Sequence, residues 1–395
     1  MDQEDWSLNF WINRKDYLND TEWKKLNEFI EDKGSPFLVL FKDKVKVNYD
    51  LLKWLYEDSS IYYAVKACPN PEILKVLIGA WSCFDIASIY ELDLVLWLWA
   101  SPDRLSYGNT IKKEAHIKYA YSKWIRMFAT DSFDDLWKIA RVAPWSKVYF
   151  RLLTPAFWAD WPLSKKFGCE SDMAYDLALF ARDLWLQPYW ISFHVWSQQN
   201  DLYAWNSAIS KASDLFKKLS EVWIKLEMLN MWWGLPSRYI KETKWLDEYL
   251  KEIKLFLYNN FWDEIPKIIM EPGRSMVWNI WVIISEVVLV SKKSNNKDEP
   301  RWVFLDLWKF SWLIETLDEA IKYPIYTEKK WELSPVILAW PTCDSMDIMY
   351  ENYKYLLPED LASWDRVYIF STWAYTQSYS AVEFNGFPPL QVYVI

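Results

Sequence analysis

The sequence predicts an α/β protein, a (β/α)8 TIM barrel joined to a second, mostly antiparallel β domain. Three observations carry that prediction. From about residue 59 to 274, eight short β-rich runs alternate with charge-spotted helical stretches, the order that parallel strands with crossover helices require. Polar residues fall at the carboxyl ends of those runs, the face on which barrel enzymes build their sites. After Arg274 the alternation gives way to strands joined by turns.

The eight runs are 61–66, 83–88, 104–109, 125–130, 148–154, 190–197, 224–231 and 267–271. Between them, segments such as 71–79, 89–99 and 132–142 have helical spacing. A doubly wound open sheet is the alternative arrangement. The residues at the run ends are Lys66, Asp85, Asn109, Arg151, His194, Asn230 and Glu271, in order along the chain. The second domain takes strands over 282–291, 301–307, 335–339 and 366–371, with the polar stretch 292–300 as an exposed loop.

Composition narrows the function classes. The 395 residues carry 45 basic and 54 acidic side chains, a net charge of −9, and no basic block. That argues against nucleic acid or an anionic membrane as the main partner. The longest apolar run, around 94–100, is far too short to span a bilayer. The start, MDQEDW, lacks the basic and apolar segments of a secretion signal. Cys68, Cys83, Cys169 and Cys343 lie far apart with no CxxC pair and read as reduced thiols, so a cytoplasmic location is expected. With two histidines and no HExxH, no metal site is expected.

Tryptophan and glycine are the anomaly. There are 30 Trp and 7 Gly, where ordinary usage of about 7% would give roughly 28 glycines. Many tryptophans stand at turn-like positions without amphipathic period, where a chain needs positive φ or close backbone approach. Indoles filling a core or binding sugars are one explanation. The other is that most are glycines, written as Trp because UGA was translated under the wrong genetic code.

Several residues carry chemistry. Lys66 ends the strand YYAVK at the barrel mouth, where a neutral amine can form an imine; a lone lysine reads more simply as a snorkelling surface residue. In Glu271-Pro272-Gly273-Arg274, a carboxylate can hold a protonated pyridine nitrogen and an arginine can grip phosphate. The same four residues read equally as a salt-bridged turn. Asn230-Met231-Trp232-Trp233-Gly234 becomes a glycine-rich phosphate turn if its tryptophans are glycines. His194 can stack on a planar cofactor, whereas His116 is assigned to the surface. Cys343-Asp344 offers a proton donor beside an acid for a cationic tail, or a half-buried thiol beside a turn-capping aspartate. Cys68, Cys83 and Cys169 are assigned to packing.

Assembled, these residues resemble the fold-type III, pyridoxal-phosphate-dependent amino acid decarboxylases, in the ornithine/lysine branch. The motifs YYAVKACPNP, FDIAS, KFG, SFHVWSQ, LNMWWGLPSRY, EPGRSMVWNIWV, WPTCDSMD, WAYT and FNGFPPLQVYVI carry the resemblance over nearly the whole chain. Trp196, Trp232, Trp233, Trp278, Trp281, Trp308, Trp340 and Trp373 stand where that family has glycine.

The resemblance implies roles position by position. Lys66 matches the lysine bonded to the cofactor, pyridoxal 5'-phosphate. His194 matches the imidazole stacked on its ring, and Glu271 the carboxylate paired with its nitrogen. Ser197, the turn Trp232-Trp233-Gly234, Arg274 and Tyr375 match the phosphate set; Asp85 and Arg151 match supporting polar residues. Cys343 matches the acid that reprotonates Cα, Asp344 an acid facing the substrate's distal amine, and Glu319 a second one. A homodimer sharing its active sites across the interface is implied, as are a barrel over 32–274 and a β domain over 1–31 and 275–395. The implied reaction is decarboxylation of L-ornithine to putrescine in polyamine biosynthesis. L-Lysine is the next substrate considered, then diaminopimelate, whose enzymes resemble CES where this chain has CDS. A catalytically dead, regulator-binding homologue is the non-enzymatic alternative.

Overall fold

The computed structural model describes residues 11–154, 159–161, 166–232, 234–240, 243–296, 299–372, 374–376, 380 and 391–395, without the side chains of 159–161, 232 and 263. The chain forms two units. One comprises Asp43–Ser237 and Thr243–Val277; the other comprises the chain up to Lys42, Arg238–Glu242 and Trp278–Ile395. Strands are numbered along the chain, and β1 (Phe37–Leu40) belongs to the second unit.

The first unit is a closed barrel of eight strands. They are β2 (Ser60–Ala64), β3 (Cys83–Ile86), β4 (Leu105–Tyr107), β5 (Met127–Thr130), β6 (Lys147–Leu152), β8 (Gln187–His194), β10 (Met228–Trp232) and β11 (Lys267–Met270). All neighbours are parallel, and β11 closes the ring on β2 through Ile269↔Ser60 and Met270↔Ile61. Each of the eight expected runs contributes one strand. The strands are almost wholly buried, as sheets covered on both faces must be. Tyr62, Ala129, Tyr149, Trp190, Met228 and Ile269 pack together inside. A short ribbon, β7 (Ala159–Trp161) with β9 (Ser197–Gln199), lies off the barrel path.

Helix starts follow ordinary capping: the side chains of Asn70, Ser88 and Ser132 accept the free amides of Pro71–Gly79, Ile89–Trp97 and Phe133–Val142. Helix ends do not. Five helices close with the double bond pattern that needs a left-handed residue just past the cap, usually glycine. At Trp81 the pair is Trp81 N–H to Ile78 O (3.1 Å) and Ser82 N–H to Leu77 O (3.0 Å). Trp99, Trp124, Trp185 and Trp223 repeat it, with φ of 71, 69, 60 and 63°. Trp145, Trp196, Trp262 and Trp364 are also left-handed, so nine of the fifteen described non-glycine residues with positive φ are tryptophan.

The second unit is a nine-stranded sheet holding β1, β12 (Trp281–Ser291), β13 (Arg301–Leu305), β14 (Ile325–Tyr326), β15 (Leu333–Ala339), β16 (Ile348–Met349), β17 (Tyr355–Pro358), β18 (Arg366–Phe370) and β19 (Gln391–Val394). Among the described residues, only β1·β19 and β13·β15 run parallel. The N-terminal part of this unit runs on to Lys42, past the expected boundary at residue 32, because Phe37–Leu40 pairs antiparallel with β12, from Phe37↔Ile284 to Leu40↔Trp281. Leu26 and Ile30 of the helix Asp20–Ile30 pack on Phe37, Val282 and Phe370. Among the described residues, no helix is long and apolar enough to cross a membrane.

Candidate active site

The barrel strands deliver their polar side chains to one end. Lys66 follows β2 in the short helical turn Val65–Ala67, Asp85 lies in β3, Arg151 in β6, His194 ends β8, Asn230 lies in β10, and Glu271 directly follows β11. Asp85, Arg151, Asn230 and Glu271 are buried. The charges act on one another: Lys66 and Arg151 both favour the ionised forms of Asp85 and Glu271, and both disfavour a protonated His194.

Burial dominates this cluster. It pushes the Asp85 carboxyl up to about 7 and Glu271 well above the usual carboxylate range. It lowers Arg151 to about 10 and holds His194 well below the usual histidine value, so the imidazole is neutral. Its Nδ1 accepts the Trp196 N–H at 2.8 Å. Asn230 Nδ2 donates to Glu271 Oε1, while Glu271 Oε2 and Asp85 Oδ1 have no hydrogen-bond partner among the described residues. Asn230 drew no assigned role from the sequence; its place at a strand end beside the 230–234 turn is the signal for one.

A carboxyl whose folded pKa is raised binds a proton that the unfolded chain has released. Stability from Asp85 is therefore complete below its unfolded pKa of 3.8 and is lost as pH rises from there toward 7. Asp85→Asn is expected to flatten that fall. Urea unfolding of the cofactor-free variant and parent, at steps from pH 4 to 8, checks it.

Gly108 explains how Asp85 is accommodated. A Cβ there would lie 1.9 Å from Asp85 Oδ1. Gly108→Ala is expected to cost about 1–3 kcal/mol by overpacking, read as a lower urea midpoint.

At the other side of the mouth, the 194–199 segment lies against the 234–237 segment. A Cβ on Gly234 would come 1.8 Å from the Trp196 carbonyl, so that position admits glycine alone. Gln198 ties the segments together, donating to Ser237 O at 3.0 Å and accepting the Ser237 N–H at 2.6 Å. Arg274 Nε donates to Ser197 Oγ at 3.2 Å. Trp196 is buried at φ 72°, its indole N–H on Thr154 O at 3.2 Å and its ring 5.7 Å from the His194 ring. The side chain of Trp232 and all of Trp233 lie outside the described residues, as do Trp373 and the stretch 381–390 that holds most of FNGFPPLQVYVI.

The remaining candidates belong to the sheet unit. Cys343 is exposed in the loop between β15 and β16. Asp344 Oδ1 accepts the Met346 N–H at 2.9 Å. Glu319, at φ 54°, accepts the N–H groups of Asn352 (2.6 Å) and Tyr353 (2.9 Å). Tyr375 is left-handed at φ 65°. Among the described residues, no group of three or more His, Cys, Asp or Glu is placed to hold a metal.

These residues fit pyridoxal phosphate at its ring end. A buried carboxyl with one oxygen unpartnered suits a protonated ring nitrogen, and a neutral imidazole suits a flat aromatic face. Ser197 and Arg274 provide a hydroxyl and a cation for phosphate.

A profile of the pyridoxal-binding domain of pyridoxal-dependent decarboxylases matches residues 42–278. The lysine/ornithine decarboxylase of Selenomonas ruminantium is 30% identical over 379 residues, covering 94% of this chain and 91% of that one. Among solved structures, the lysine/ornithine decarboxylase of Vibrio vulnificus complexed with cadaverine superposes with a TM-score of 0.85 at 26% identity, covering 96% of this chain and 99% of that one. The arginine decarboxylase of Paramecium bursaria Chlorella virus gives 0.85 at 25% identity, covering 94% and 100%.

Proposed function

Because the chain belongs to the pyridoxal-dependent decarboxylases, carboxy-lyases that use pyridoxal 5'-phosphate, we propose that it decarboxylates L-ornithine to putrescine in the cytoplasm, with L-lysine as the alternative substrate. The buried Glu271 carboxyl with its unpartnered oxygen, beside Lys66 and a neutral His194, carries the reading.

When bound, the cofactor supplies the electron sink for the pair left by departing CO2. Lys66 supplies the amine to which it is bonded. Glu271 would pair as a carboxylate with the protonated ring nitrogen, and His194 would cover a ring face. Ser197, Arg274, Tyr375 and the turn Trp232-Trp233-Gly234 hold the phosphate, with Asp85 and Arg151 behind. Cys343 donates the proton to Cα, acting in the partner's site of a homodimer. Asp344 and Glu319 pair with the distal ammonium, which an aspartate suits better than the carboxylate-bearing tail of diaminopimelate. Lys66, Glu271 and Cys343 are all present, which disfavours a dead homologue.

Cofactor-loaded protein given L-ornithine, L-lysine and diaminopimelate, with CO2 and amine measured, tests this. Release from ornithine or lysine, with a preference of roughly 10–200-fold for one methylene difference, supports it. Release from diaminopimelate alone overturns it.

The tryptophans belong to the same reading: most stand for glycine encoded by UGA. The nine left-handed tryptophans support it, since a bulky L-residue at positive φ is a genuine outlier and glycine is not. Two buried indoles add weight: Trp190 and Trp340 have N–H groups without a hydrogen-bond partner among the described residues. Peptide mass spectrometry of protein made in its own host decides it. Glycine at 81, 99, 124, 185 and 223 is the expected result; tryptophan there rejects the recoding.

A further inference from the structure

The loop that carries Cys343 is braced by a buried polar cluster with no part in the chemistry described above. It joins β15 to β16, which pair through Ala339↔Ile348 and Leu338↔Met349. At its base Asp347 is 2% exposed and Lys309 6%. One Asp347 oxygen accepts the Lys309 backbone N–H at 3.2 Å; the other accepts the Thr342 hydroxyl. The Lys309 ammonium donates to the carbonyls of Met346 (3.3 Å) and Ile348 (2.8 Å). Thr342 Oγ1 in turn accepts the Asp344 N–H at 3.4 Å. Trp340 N–H to Asp347 O at 3.3 Å and Asp347 N–H to Asp344 O at 3.1 Å complete the frame.

Each contact fixes a different part of the loop. Lys309 comes from the segment after β13 and seizes the returning strand, while Asp347 reaches back to Thr342, next to Cys343. Two charged groups have been taken out of water, which is costly; burial pushes Asp347 up to about 6 and lowers Lys309. A hairpin needs no such cluster to close. Fixing a single loop shape does.

We propose that Lys309 and Asp347, acting through Thr342, are positioning residues that set Cys343 and Asp344 in the geometry the reaction needs. The proposal rests on the reading of Cys343 as the acid. It is tested on the full chain loaded with cofactor, in Asp347→Asn, Lys309→Met, Lys309→Arg, Thr342→Val and Cys343→Ala. Three quantities are read: kcat and KM for ornithine, the rate of iodoacetamide alkylation at Cys343, and the unfolding midpoint.

In Thr342→Val, which removes one hydroxyl and spares the ion cluster, kcat is expected to fall on the order of 10–100-fold with little change in KM, and the alkylation rate to change. Asp347→Asn and Lys309→Met should behave alike, and Lys309→Arg should recover most of kcat. A lower unfolding midpoint with kcat and alkylation unchanged overturns the proposal. If Cys343→Ala leaves kcat intact, the acid reading fails, while a changed alkylation rate in Thr342→Val still upholds the positioning.

Discussion

Replacing the nine left-handed tryptophans by glycine together is expected to raise the unfolding free energy by roughly 5 kcal/mol. A left-handed L-residue costs about 1–2 kcal/mol, and glycine gives back about 0.5–1 kcal/mol through the freer unfolded chain. The net gain is about 0.5–1 kcal/mol per site, and sites at the ends of separate helices add. Little packing is lost, because Trp81, Trp99, Trp124, Trp145, Trp185, Trp223, Trp262 and Trp364 are all exposed. Removing eight exposed indoles should also reduce aggregation. Trp196 is the exception: it is buried beside His194, so Trp196→Gly should raise cofactor affinity as well. Urea unfolding of the ninefold variant, and cofactor titration of the single one, read these effects. A lower urea midpoint would remove the physical basis of the glycine reading.

Glu271→Gln is expected to lower kcat about 10²–10³-fold while leaving the cofactor bonded to Lys66, the loss usual for one preorganised electrostatic group. Glutamine keeps the shape and an acceptor for Asn230, but its amide cannot pair as a carboxylate with a ring cation. The same change should stabilise the cofactor-free protein at neutral pH. Burial raises the Glu271 carboxyl well above its ordinary value, so ionisation works against folding as pH rises, and glutamine has nothing to ionise. Steady-state kinetics and cofactor-free unfolding at pH 7.5 are the paired measurements. Lost activity together with lost stability would reduce Glu271 to a structural residue.

The barrel was legible because its signal is periodic. Eight β runs separated by helical spacing leave few folds, and the polar residue closing each run marks the open end. Lys66, Asp85, Arg151, His194 and Glu271 were each found that way, and their mutual electrostatics follow from sharing that end. The start of the barrel was not legible. FLVL at 37–40 is fully buried and apolar, the same pattern a barrel strand shows, and its pairings with β12 and β19 are what assign it to the sheet. The two-residue strands β14 and β16 were missed because two residues carry no period. Asn230's service to Glu271 and the need for glycine at 108 are distances across strands, which no local pattern encodes. For tryptophan the order reverses. Composition raised the glycine reading, but only backbone angles separate left-handed sites such as Trp223 from extended ones such as Trp190.

The proposed function requires a cofactor bonded to Lys66. Borohydride reduction of the cofactor-loaded protein, followed by peptide mapping, tests it most directly. A pyridoxyl adduct on Lys66, obtained again after added L-ornithine has been turned over and the amine product removed, is the predicted result. Reduction that labels another lysine, or none, would rule out Lys66 as the cofactor's lysine.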